Sequence, residues 1–168
     1  MSKVNCPNCG QEHETFMGEY QYVESGLDNV IIEGIEIFKC PCGEYSALIP
    51  HILELHKTIA KCLIEQMHPL SGKEIRFLRK NMGIKAMNFA RILGVDNATV
   101  SRWENGKEKH SDIVDRFIRL IYANEMGMHQ EAERLIKDIL SDIDATKPQL
   151  PIVIMADKLG HFTCSRKR

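Results

Sequence analysis

The stretch that decides the fold is Phe89-Ala90-Arg91-Ile92-Leu93-Gly94-Val95-Asp96-Asn97-Ala98-Thr99-Val100-Ser101-Arg102-Trp103-Glu104-Asn105-Gly106. Gly94 and Gly106 each close a short helical run, because glycine accepts the left-handed conformation that ends a helix. Ala90 stands four residues before Gly94. A small residue there lets two helices approach, the spacing of a helix-turn-helix. Phe89, Leu93, Val100 and Trp103 then point inward as a shared core. Asn97, Ala98, Thr99, Ser101 and Arg102 are left near or on the outer side of the third helix. Its polar N-terminal turn is the part such a unit presents to base edges in the major groove.

Working upstream, one helix is predicted from Lys73 to about Met82, stopped by Gly83, and a second from about Ala86 to Leu93. His51 to Met67 carries Ile52, Leu55, Ile59, Leu63 and Met67 at helical spacing and links the two halves of the chain. Residues 1–49 read as short strands. One holds Tyr20, Tyr22 and Val23; another holds Val30, Ile31, Ile32, Ile35, Ile37 and Phe38, with Gly34 between. Gly26 and Asp28-Asn29 are turn residues. Downstream, Ser111 caps a helix running to about Met126, and a last helix spans Gln130 to Ile143. Lys147-Pro148 interrupts it, Leu150 to Met155 is a short apolar strand, and Ser165 to Arg168 reads as a frayed basic tail.

The N-terminal half carries the second signal. Cys6-Pro7-Asn8-Cys9-Gly10 and Cys40-Pro41-Cys42-Gly43 form two knuckles. Zinc takes four soft ligands in a tetrahedron, and a tight turn sets two thiolates on one side of it. Glycine after the second cysteine lets the backbone turn sharply. The metal ligands are therefore Cys6, Cys9, Cys40 and Cys42, holding structural Zn2+ whose binding supplies folding energy to a module with little core of its own. The second knuckle has one residue between its cysteines where two are usual, which leaves His13 as a substitute ligand; four unconnected cysteines or a redox pair are the other readings. Cys62 lies on an apolar helix face and reads as core, and Cys164 falls outside the pattern.

The chain has 168 residues and a net charge of -1. That sum conceals a division: residues 1–56 carry a net of -7 and residues 71–125 a net of +4. The basic segment suits phosphates and the acidic one repels them, so the acidic module faces a protein and the basic one DNA. No run reaches 18 apolar residues and the N-terminus has no apolar signal core, so neither a membrane span nor a secretory signal is expected, and the location expected is cytoplasmic. Six cysteines in such a chain point to metal or redox roles. No Gly-x-Ser-x-Gly, glycine-rich phosphate loop or His-Glu-x-x-His is present. His51 and His56, with Glu54, sit five apart on a helix and diverge, so an enzyme is not expected.

Residues Arg79 to Ile84, Phe89 to Val95 and above all Val100-Ser101-Arg102-Trp103-Glu104-Asn105-Gly106 resemble the lambda-repressor-like (Xre) helix-turn-helix family. The resemblance implies that Arg79 and Glu104 form a structural pair, and that base reading falls on Asn97, Ala98, Thr99 and Arg102. Where that family often has Gln at the start of the second helix this chain has Ala86, so Lys85 supplies the charge there. Together with the Cys6 to Gly10 start, Glu33-Gly34-Ile35 and Cys42-Gly43-Glu44, residues 5–106 resemble the MqsA-like (YgiT-type) zinc-finger/helix-turn-helix antitoxin family. This implies an α+β fold, with a small N-terminal β-rich zinc-binding domain followed by an all-α helix-turn-helix domain. The expected domains are 1–50 (zinc), 51–70 (linker helix), 71–126 (helix-turn-helix) and 127–168 (a helix-and-strand extension suited to dimerisation). The implied function is a transcriptional repressor, a homodimer on palindromic double-stranded DNA, whose N-terminal domain binds a toxin protein. The alternative is a stand-alone zinc- or redox-responsive transcription factor, with Cys62 or Cys164 in the switch.

Overall fold

The structure, a computed structural model, describes residues 2–138, 151–157 and 159–166. It is α+β, with a strand-rich N-terminal region that bears the cysteines, followed by helices. Two compact units divide it: Met1–Ile59 with Leu150–Arg168, and Ala60–Gln149. Among the described residues no helix is long and apolar enough to cross a membrane.

In the first unit β1 (Lys3–Asn5) and β2 (Glu12–Glu14) form an antiparallel pair. The main sheet is built on β4 (Val30–Lys39). Along one edge runs antiparallel β3 (Phe16–Gln21). Along the other, antiparallel β5 (Tyr45–Leu48) covers Glu36 to Lys39, and β6 (Ile152–Ala156) runs parallel beside Val30 to Glu33. Antiparallel β7 (Phe162–Arg166) follows β6. The apolar alternation of β4 changes phase in the middle: Val30 and Ile32 are buried, then Ile35 and Ile37. Gly34 absorbs the extra residue. The β3 register passes from Glu33 opposite Glu19 to Ile35 opposite Gly18, and Gly34 takes φ 71. This is a β-bulge, and only glycine fits it: a Cβ there would stand 3.0 Å from the Ala156 carbonyl oxygen.

The N-terminal strand expected around Tyr20 to Val23 ends at Gln21. Val23–Ser25 instead forms one 3-10 turn closed by Gly26 at φ 79, with Ser25 Oγ donating to the Tyr22 carbonyl at 2.7 Å. A serine that bonds its own backbone competes with the strand ladder. The apolar strand expected over 150–155 is present as β6, but it joins the N-terminal sheet and is no separate extension. Ser165 and Arg166, read as tail, belong to the backbone of β7. The expected end of the last helix at Ile143, the break at Lys147-Pro148, and Lys167-Arg168 lie outside the described residues.

Helix α1 (Ile52–Glu65) carries the chain into the second unit. There α2 (Gly72–Asn81), α3 (Ala86–Leu93), α4 (Asn97–Glu104), α5 (Asp112–Glu125) and α6 (His129–Asp138) follow. Local sequence sets these boundaries. Ser71 and Glu74 form a reciprocal capping box on α2, while Asp96 and Ser111 cap α4 and α5. Ile75, Leu78, Phe89, Ala90, Val100, Trp103, Ile118 and Tyr122 are buried. Full burial of one such large apolar side chain contributes about 1.5–3 kcal/mol. Leu93, expected in this core, is only half-buried because it ends α3 at the turn. Ion pairing adds a polar node. Arg119 Nε donates to Asp115 Oδ2 at 2.6 Å, and its Nη atoms donate to the carbonyls of Leu63, Ile64, Gln66 and His68 at 2.7 to 3.0 Å. The guanidinium thereby satisfies the orphan carbonyls at the end of α1. Asp115 also accepts from the Leu70 amide at 2.6 Å and bonds His110 Nε2 at 3.1 Å.

Candidate nucleic-acid interface and candidate metal centre

Helices α3 and α4 meet at a turn shaped by three residues. Gly94 takes φ 68 as the C-cap of α3, and its amide bonds the carbonyls of Ala90 and Arg91. Val95 N closes the turn on Ala90 O at 3.0 Å. Asp96 then starts α4: its Oδ1 accepts from Thr99 N at 2.7 Å and its Oδ2 from the Thr99 hydroxyl at 3.0 Å. The Thr99 amide, then the hydroxyl, hold the Asp96 carboxyl below the usual carboxylate range. A charged carboxylate suits a helix N-terminus.

The far end of α4 is locked to α2. Arg79 donates to Glu104 through Nε at 2.6 Å and Nη2 at 3.0 Å, and Nη1 donates to the Ile84 carbonyl at 2.8 Å. Glu104 accepts a third bond from Arg76 Nε at 3.2 Å, and Arg76 Nη2 donates to Asn105 Oδ1 at 2.8 Å. Burial raises the Glu104 carboxyl, but the Arg79 and Arg76 guanidiniums outweigh it and the group titrates below the usual range. Gly72 lets the two helices close: a Cβ there would stand 2.1 Å from the Trp103 carbonyl oxygen.

With both ends fixed, α4 turns Val100, Trp103 and Glu104 inward and leaves Asn97, Ala98, Ser101 and Arg102 exposed, with Thr99 half-buried. Lys85, exposed at the N-cap of α3, makes no side-chain cap there. Arg102 is held from two sides, with Nε on Glu108 Oε2 at 2.6 Å and Nη2 on Thr99 Oγ1 at 2.7 Å. The sequence reading missed Arg76, Asn105 and Glu108. Asn105 had a visible signal in the Trp103 to Gly106 ending, whereas Glu108 is brought back only by the turn at Gly106.

The four cysteines of the two knuckles come together in the first unit. Cys6 Sγ lies 3.7 Å from Cys42 Sγ and Cys9 Sγ 3.4 Å from Cys40 Sγ, and all four sulfurs lie within 4.8 Å of one another. Thiolates about 2.3 Å from one zinc in a tetrahedron stand about 3.8 Å apart, so the donor set fits that ion. Each knuckle is a glycine turn: Gly10 N bonds Cys6 O at 2.8 Å and Gly43 N bonds Cys40 O at 2.9 Å, with φ 73 and 96. Cys40 N on Glu44 O at 2.8 Å tightens the second turn, which is how a single intervening residue suffices. The Cys40 thiol and the Glu44 backbone lower the Cys42 thiol to about 6. His13 is not among the clustered groups; its ring stacks on Phe38 at 6.2 Å. Cys62 is buried on α1.

The chain is similar to a protein named "Uncharacterized HTH-type transcriptional regulator YiaG" of Escherichia coli K12, with 47% identity over 54 residues, 32% of this chain and 56% of that protein. The proteins of the same name from Escherichia coli O6:H1 and O157:H7 give the same values. The chain thus spans about half the length of the curated relatives it matches. No family model matches it, and no solved structure does.

Proposed function

We propose that this chain is a sequence-specific, DNA-binding transcriptional regulator of the antitoxin type, a cytoplasmic autorepressor that acts as a homodimer on a palindromic operator. The observation that carries this reading is the exposed polar first turn of α4, standing on a lock of buried Arg79 and Glu104 joined by half-buried Arg76. Similarity to a protein named as a helix-turn-helix regulator supports it. In this reading α4 enters the major groove. Arg102 reads guanine O6 and N7, Asn97 reads adenine, and Ala98, Thr99 and Ser101 take the remaining contacts. Lys85 meets a phosphate. The lock keeps α4 rigid, so little ordering entropy is lost on binding. One short helix buries too little for tight selectivity, and a second copy one helical turn away supplies the other half-site.

Cys6, Cys9, Cys40 and Cys42 would hold structural Zn2+, which supplies folding energy to the acidic N-terminal module. Four thiolates leave no open position for chemistry, and the naming of the relative agrees with a non-enzymatic role. The acidic module takes a basic toxin as its partner. Two measurements test the reading. Selection from a random-sequence duplex library should return a palindromic motif, and its absence would remove sequence-specific binding. Capture with residues 1–59 held in the full chain should retain a small basic protein from the native host; retention of none would remove the toxin.

A further inference from the structure

Glu108 belongs to none of the motifs used above. It follows the left-handed residue Gly106, at φ 67, where Lys107 N bonds Arg102 O at 2.9 Å. That turn folds the chain back along α4 and brings the Glu108 carboxylate to Arg102 Nε at 2.6 Å. On the other side Arg102 Nη2 donates to Thr99 Oγ1, whose own proton is committed to Asp96. A guanidinium has five N–H donors. Glu108 takes the Nε donor and Thr99 one Nη2 donor, so among the described residues nothing takes the Nη1 donors or the second Nη2 donor. Both members of the pair are 46% exposed. Such pairs contribute at most about 1 kcal/mol to folding, so stability does not account for the arrangement.

We infer that Glu108 is a positioning residue that sets the specificity of the proposed α4 readout, by fixing Arg102 with its Nη edge outward and offsetting its charge. The inference rests on the DNA-binding reading above. Its physics follows from the two acceptors that compete for an arginine in a groove. Phosphate is attracted chiefly by charge, and guanine by two lone pairs at fixed spacing. An arginine whose charge is offset and whose fork is held still loses more of the first attraction than of the second. Glu108 thus lowers affinity for every duplex and raises the ratio between the right sequence and the rest.

The test uses full-length wild type, Arg102→Ala, Glu108→Ala and Glu108→Gln. Each is used to select from a random-sequence duplex library, then titrated against the best wild-type duplex and against the unselected library over a salt series. Glu108→Ala should bind the unselected library more tightly, with a salt slope steeper by about one, and should lose at least about fivefold of the preference for the guanine whose signal Arg102→Ala abolishes. Glu108→Gln keeps a carbonyl for Nε but no charge; it should keep that guanine preference while non-specific affinity still rises. All four should melt together. Glu108→Ala with wild-type guanine preference and salt slope would overturn the inference and leave the readout standing. A wild type that enriches no motif, or an Arg102→Ala that keeps the guanine, would overturn both.

Discussion

Glu104 is the residue on which the placement of α4 depends. It is 6% exposed and accepts three guanidinium bonds, two from Arg79 and one from Arg76. Replacing it with alanine leaves Arg79 buried without its carboxylate, which should cost about 3–5 kcal/mol of stability in urea unfolding. A loss under 1 kcal/mol would mean that the pair is not holding α4. The same group predicts an acid dependence. Glu104 and Asp115 both titrate below the usual range; burial raises each, but arginines outweigh it at Glu104, and at Asp115 so do the His110 bond and the Arg119 charge. A carboxylate with a depressed folded pKa contributes stability that is present above its unfolded pKa and lost as pH falls through the folded one. The urea midpoint should therefore hold from pH 7 to 5 and fall below about pH 4, and Glu104→Gln should flatten part of that fall. A midpoint independent of pH down to 3 would contradict both assignments.

At the scale of elements, the helices follow from punctuation that can be read along the chain. Gly83, Gly94 and Gly106 each adopt the left-handed conformation, and Ser71, Asp96 and Ser111 each cap the helix that follows. Glycine and cap signals are local, which is why a helix from about Ala86 to Leu93 was legible. The sheet was not legible in the same way. β1 and β2 have three residues each, too few for an alternation, and β6 pairs in parallel with a strand over a hundred residues earlier. Nothing near Ile152 announces its partner. Arg119 shows the same limit in a side chain: its i,i+4 relation to Asp115 is visible in sequence, but its bonds to the end of α1 are not. Of the candidate site, the cysteine quartet and the outer face of α4 were readable from spacing, whereas Glu108 depends on a turn's direction. Close approach of elements yields one further expectation. Gly72→Ala would drive a Cβ into the Trp103 carbonyl and separate α2 from α4, costing about 1–3 kcal/mol by urea unfolding. Unchanged stability would show that the two helices have slack.

For the whole molecule, two units share one chain, and each has a buried apolar core, that of the first built on Val30, Ile32, Ile35, Ile37 and Ile154. The second has an apolar core in Phe89, Val100, Trp103, Ile118 and Tyr122. Around the cysteines of the first, the buried cluster consists of Cys6, Phe38 and Cys40, with Val4 and Leu48 partly buried against it. A cluster that small gives the knuckles little packing of their own, and in the proposed zinc reading the metal supplies the rest. Cys9→Ser should therefore abolish zinc binding by mass spectrometry and raise amide exchange across residues 2–49, while exchange in 72–104 stays slow. Full zinc occupancy in the variant would rule out the four-thiolate site. The most direct test of the central claim, that α4 reads DNA, is an anisotropy titration of wild type and Arg102→Ala against a library-selected duplex and a scrambled one at equal salt. A base-reading α4 predicts that wild type prefers the selected duplex at least about a thousandfold and that Arg102→Ala forfeits roughly 1–3 kcal/mol of that preference with an unchanged melting temperature. Equal affinity of wild type for both duplexes, or a variant with wild-type preference, would contradict it.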